Sequence, residues 1–333
     1  MNFSINKSTL VIQSKYITEL PNVEGIKILD CSGCTSIVSI PNIKSLKRLN
    51  CDGCTSLTSI PNIEGLQRLS CNGCTSLISI PNIVGLKKMY CDGCTALTSI
   101  PNIEVNELSC DGCTSLTSIQ NIVVNELSCR ECTLLTSIQN IEGLEIIHCD
   151  GCTLLTSIQN IEGLEIIHCD GCTALTSIPN IEGLEIIHCD GCTALTSIPN
   201  IEGLEIIHCD GCTSLISIPN IKGLREIHCN ECTALTSIPN IESLERIYIN
   251  GCTILTSIPN DNLAWRIDTW VMDCPWLYPD QNRMEKLIKL QKWFKIYLLS
   301  IKISKFIPLF SEFWYHPDGP GGRAAIRRLN KNN

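Results

Sequence analysis

Paired cysteines are the first residues in this sequence whose type and spacing could do chemistry. The spacing C-x-x-C recurs eleven times, from Cys31/Cys34 to Cys229/Cys232, and Ile249/Cys252 closes the series. Two thiolates at this spacing can share one zinc, and a neighbouring pair would complete four ligands. Cysteine is also a small buried hydrophobe with a weak hydrogen-bond donor. Ile249 replaces it with no other change, which a ligand position would not tolerate. The pairs therefore read as neutral core thiols. A thiol-rich metal- or redox-buffering protein stands as the alternative.

The second feature is a histidine in each of five consecutive repeats: His148, His168, His188, His208 and His228. Such a column could ligate metal or respond to pH, because imidazole changes charge near neutrality. Duplication of a unit such as NIEGLEIIHCDGCT would copy one histidine into a row without any such role. Metal sites want convergent ligands, so an open row implies no metal and no cofactor. No unique nucleophile sits beside a base and no glycine loop cradles phosphate, so no catalytic residue is assigned and no enzyme is expected.

The elements that position these residues follow from a period of 20, shortened to 19 at PNIEVNELSC and QNIVVNELSC. In the unit Leu66 to Gly85, apolar or thiol side chains occupy positions 1, 4, 6, 9, 12, 15 and 18. Positions 4 and 6 alternate with polar 3, 5 and 7, which predicts a short strand with one buried face. Asp-Gly or Asn-Gly at positions 7 and 8 bends the chain, and the aspartate reads as a local turn residue. Proline at position 16 (Pro41, Pro61, Pro81) fixes an extended return path with no room for a helix. One turn cannot bury its own apolar edge, so the units must stack.

The pattern L-x-x-L-x-C-x-x-C-x-x-L with the return LTSIPNI resembles the leucine-rich repeat family, in its 20-residue, bacterial-like subclass. Together with the closing CPWL segment and EFWYHPDGPGG, the chain also resembles the cysteine-rich repeat proteins of giant DNA viruses, which implies no established activity. The resemblance implies a leucine-rich repeat solenoid with a parallel β-strand face; the unit's own pattern adds an extended, largely non-helical convex side, and the residues after 280 a helical C-terminal segment. The expected divisions are an N-terminal capping turn (1–25), twelve units (26–260), a degenerate last turn (261–280), and a basic helical segment with tail (281–333).

Charge splits the same way. Through residue 280 there are 14 basic and 31 acidic residues, and afterwards 11 and 3. An acidic body opposes nucleic-acid binding. The stretch 281–299 predicts an amphipathic helix that caps the stack, lies on a membrane as a peripheral adaptor, or touches an acidic surface. No stretch is apolar enough for a transmembrane helix. The start lacks a secretory pattern, so many reduced cysteines predict an intracellular, cytoplasm-like reducing compartment of the host cell.

Outward positions 3, 5 and 7 form a zoned face. It offers Arg48, Arg68 and Tyr90 first, then Glu107 and Glu126, then the five histidines and Tyr248. Such zoning suits a protein partner of unknown identity, and these residues are the expected binding set. An exposed row of histidines, the first four each next to an aspartate, predicts a broad titration near or below pH ~6.5 with modest shifts. By that reasoning His228, beside Asn230, is the hardest to protonate.

Overall fold

A computed structural model of the protein describes residues 2–6, 8–20, 24–159, 161–256 and 269–270. The unit through Trp276 is a parallel β-solenoid of about twelve turns, each near 20 residues. Positions 3 to 5 of each unit form a three-residue strand, as at Arg68–Ser70 and Ile166–His168. Successive strands pair in parallel with like positions aligned: Leu49 with Leu69, His148 with His168. The ladder continues through fifteen strands.

At the N-terminal edge, Asn2–Asn6 pairs antiparallel with Thr9–Gln13, which then joins the first unit in parallel. At the other end Thr269–Trp270 pairs with Arg246–Tyr248, one strand beyond the twelfth unit. The expected helix at 281–299, the basic tail and the rest of the degenerate last turn lie outside the described residues. Among the described residues no helix is present, and none is long and apolar enough to cross a membrane.

The core has the predicted rows. In the unit at Leu66, Leu66, Leu69, Cys71, Cys74 and Leu77 are fully buried, and Ile80 and Ile83 nearly so. Arg68 points outward and is exposed, while Ser70 and Asn72 are half-buried. Position 8 turns the chain through the left-handed region, as at Gly171 with φ 70°. Glycine reaches that region without strain. Glu131 and Glu231 occupy the same position at φ 56° and 58°.

The return side departs from the expectation of a plain extended path. Ser118–Val123, Ser137–Glu142 and Ser157–Ile158 form a second, three-stranded parallel sheet. These three units carry Gln120, Gln139 and Gln159 where others carry proline. Proline has no N–H to give to a ladder. The Gln159 N–H does reach the Ile138 carbonyl at 3.2 Å. Amide side chains add a second ladder, Gln159 to Gln139 at 3.0 Å and Gln139 to Gln120 at 2.8 Å. In proline-bearing units pairing shrinks to single bridges, such as Ser177 to Ser197 to Ser217.

Candidate functional site

The thiols come first, because they decide whether the cysteines are chemistry or core. Every cysteine in the described units is buried. The Cys74 S–H donates to the Cys51 carbonyl at 3.1 Å, and that carbonyl also accepts the Cys54 N–H at 3.2 Å. Both lone pairs of a buried oxygen are thus satisfied, one by each turn. In the other direction the Cys51 S–H donates to the Ser70 carbonyl at 3.4 Å. The same two bonds recur along the stack, for example at Cys172 to Cys149 and Cys169 to His188. The position-9 thiol of the next turn, followed by burial, holds Cys51, Cys71 and Cys149 well above the ordinary thiol range. At these position-6 cysteines thiolate is therefore disfavoured, and their protons are committed to carbonyls.

The aspartates at position 7 do something other than cap their own turn. Asp52 Oδ1 accepts the Asn72 N–H of the next turn at 2.7 Å, and Asp190 accepts that of Asp210 at 2.7 Å. They form a ladder between turns, which corrects the local-turn reading. The reason is register: like positions stack one strand spacing apart, so each side chain meets the next unit's backbone. Arg130 interrupts the series. Its backbone N–H still donates to Asp111 Oδ1 at 2.7 Å, and its guanidinium reaches Asp150 Oδ2 at 3.1 Å and Asp111 Oδ2 at 3.5 Å.

Two clusters form among the predicted site residues. In the first, the Arg68 guanidinium lies over the Tyr90 ring at 4.8 Å, a cation–π contact. The Tyr90 hydroxyl donates to Glu107 Oε1 at 2.8 Å, and Lys88 pairs with the other Glu107 oxygen. The Lys88 hydrogen bond is the main cause that lowers the Glu107 carboxyl below its ordinary range. Arg48 stands beside Arg68 in register and is exposed, so like charges adjoin. Glu126 sits between Glu107 and Ile146 in register, also exposed.

The second cluster is the histidine column, which closes into a stack. Ring centroids are 4.5 Å apart from His148 to His168 and from His168 to His188. They are 4.4 Å from His188 to His208, 3.9 Å to His228, and 4.1 Å from there to Tyr248. The rings are half-buried, which corrects the expectation of open exposure. Stacking on both faces removes water that an isolated surface ring would keep. Burial, then the histidines on either side, pushes His168 down to about 4, and His208 goes to about 4 by the same causes. Burial and then Arg130 lower His148, whose buried Nδ1 has no hydrogen-bond partner among the described residues.

At the far end of the stack His228 meets an acid that the argument from position 7 did not weigh. Its Nε2 lies 2.7 Å from Glu226 Oε1, a carboxylate at position 3 where the preceding units carry isoleucine. Glu226 is only 8% exposed, and Arg246 holds its Oε2 at 2.9 Å. The missing aspartate is thus replaced by a closer acid. Sequence reasoning passed over Glu226 because it weighed position 7 alone; the break in the run of isoleucines at position 3 was the available signal. His208, Glu226 and His228 bring their ligand atoms within 4.8 Å of one another.

No family model matches the chain, and no curated protein matches it. Solved structures do. A leucine-rich repeat protein from Bacteroides ovatus ATCC 8483 is 20% identical over 81% of this chain and 88% of its own, with a TM-score of 0.49. A leucine rich cell surface protein from Faecalibacterium prausnitzii A2-165 is 18% identical over 69% of this chain and 89% of its own, with a TM-score of 0.34. The neighbours are leucine-rich repeat proteins of bacteria, and the parallel coil itself rests on this chain's own ladders.

Proposed function

We propose that the protein is a non-enzymatic repeat scaffold that binds a protein partner across its strand face. The observation that carries this reading is the pair of preformed clusters on that face. Arg68, Tyr90 and Glu107 are already locked to one another, and the histidine stack is already ordered. Side chains held in place before binding lose less freedom on binding, which favours affinity. The zones differ in charge and in aromatic content, and such differences select one partner over another.

Reduced thiols belong to the same reading, because S–H groups along the stack serve as donors that oxidation would remove. That requirement, with the resemblance to cysteine-rich repeat proteins of giant viruses, supports residence in a reducing, cytoplasm-like interior of a host cell. It also speaks against the cysteines as a metal or redox store.

The test is capture of partners by the immobilised full-length chain, compared with two variants. Arg68→Glu with Glu107→Lys alters the strand face; Thr176→Lys with Thr196→Lys alters the return side. A partner retained by the second variant and lost by the first is expected. A partner lost equally by both, or no reproducible partner, would sink the reading.

A further inference from the structure

We propose that His208, His228 and Glu226 form a binding site for a divalent transition metal of the zinc class, held on the strand face at the C-terminal end of the histidine stack. Two imidazoles and one carboxylate are a donor set that zinc accepts, with a fourth position left open to solvent. Imidazole nitrogen also suits copper and nickel, so the site's chemistry is that of borderline divalent ions and not of calcium or magnesium.

Three observations converge on it. The first is proximity: the three donor atoms lie within 4.8 Å of one another, whereas a tetrahedral ion needs them about 3.4 Å apart at bond lengths near 2.1 Å. Closing that difference takes a tilt of half-buried rings, and a tilt is already present one step along, where His188 and His208 stand at 51°. The second is orientation of the acid. Arg246 holds Glu226 Oε2 at 2.9 Å, which leaves Oε1 facing the His228 ring at 2.7 Å. A metal would take the place of the hydrogen in that contact, with the ring proton kept on the other nitrogen. Partners that fix a ligand in this way are a regular feature of metal sites.

The third is the sequence of the unit itself. Units 181–200 and 201–220 are near copies, and copying explains their histidines. Unit 221–240 is not a copy: Lys222, Arg225, Glu226, Asn230 and Glu231 replace Glu, Glu, Ile, Asp and Gly of the unit before. His228 persists through that divergence, and the new Glu226 stands beside it. Tyr248 then closes the stack on the other face at 4.1 Å. Asp210 is already committed to the backbone and side chain of Asn230, so Glu226 is the acid left to act.

The experiment uses the full-length chain, stripped of metal and kept reduced with a phosphine. Zinc is titrated by calorimetry and cobalt by absorption. One equivalent is expected, with cobalt showing nitrogen and oxygen ligation and no intense near-ultraviolet thiolate band. His208→Gln, His228→Gln and Glu226→Gln should each weaken binding at least ~10-fold, and Arg246→Gln, acting through Glu226, by up to ~10-fold. His148→Gln, at the opposite end of the stack, should leave affinity unchanged. On the unaltered protein, zinc should shield His208 and His228, but not His148, from diethylpyrocarbonate. Absence of saturable binding overturns the proposal. So does a thiolate band, affinity indifferent to Glu226→Gln and His228→Gln, or equal modification of the three histidines with and without zinc.

Discussion

On the strand side of each turn, backbone pairing runs through fifteen strands, while on the return side, among the described residues, a sheet forms only between Ser118 and Ile158. Both sides enclose the same buried rows, so burial does not distinguish them. Donors do. On the strand side the units keep their N–H groups, and all but the last, which carries Ile249, have two thiols. On the return side a proline at position 16 withdraws one N–H per turn, and glutamine restores it in three units. A single residue per repeat thus decides whether a neighbouring pair of extended segments becomes a sheet.

The sharpest way to break this comparison is to place the same lesion on both sides. Cys169→Pro removes a backbone donor that reaches the His188 carbonyl at 2.8 Å, removes the S–H as well, and puts a ring in a fully buried column. It should cost more than ~3 kcal/mol, read as lost stability in urea, and largely prevent folding. Gln159→Pro, which only imitates what other units carry natively, should cost about 1 kcal/mol. Equal losses would refute the distinction. Between these two lies Cys172→Ala, which leaves the Cys149 carbonyl with one partner fewer; about 1–3 kcal/mol is expected. Cys172→Ser, which keeps a donor, should recover part of it.

Glu231→Gly sharpens the comparison from the strand side. The residue sits at φ 58°, where a side chain is strained, and glycine occupies this position in most other units. A gain of ~1 kcal/mol is expected, measured as a higher denaturant midpoint. The smallest effect is a pH dependence. His168 titrates at about 4 in the fold, against ~6.5 in an unfolded chain. As pH falls, the unfolded chain takes up the proton first. Stability from this source is full above pH ~6.5 and declines as pH drops towards about 4. The half-exposed ring lets solvent screen part of the loss. His168→Gln should flatten the decline, seen in denaturant midpoints at pH 7 and pH 5.

Inward positions were the readily legible ones. Leucine, isoleucine and cysteine recur at fixed places, and Leu69, Cys71 and Cys74 are buried as that recurrence requires. What the recurrence hid were relations between neighbouring turns. Asp52 capping Asn72 is invisible within one unit, because partner and donor lie 20 residues apart. The half-burial of His168 likewise comes from copies of itself above and below. The return-side sheet was written in plain view as glutamine for proline at 120, 139 and 159, but a proline-based rule for the majority masked its own exceptions. Of the outward residues, Tyr90 and Glu107 meet directly, whereas Arg48 and Arg68 adjoin as like charges.

The thiol bonds carry a consequence for how such a chain can lengthen. The position-6 S–H of one unit points forward to the next turn, and the position-9 S–H points back to the previous one. Most junctions are therefore made by one donor from each side, and junctions of this kind are interchangeable. A whole unit spliced in at any of them brings one half of each new junction and finds the other half waiting. Insertion of complete units then perturbs no existing contact, whereas a partial unit strands a donor on one side and a carbonyl on the other. The near-identical stretches at 161–180, 181–200 and 201–220 are what growth under that rule leaves behind: length changes in whole coils, with the interior already written for the next copy.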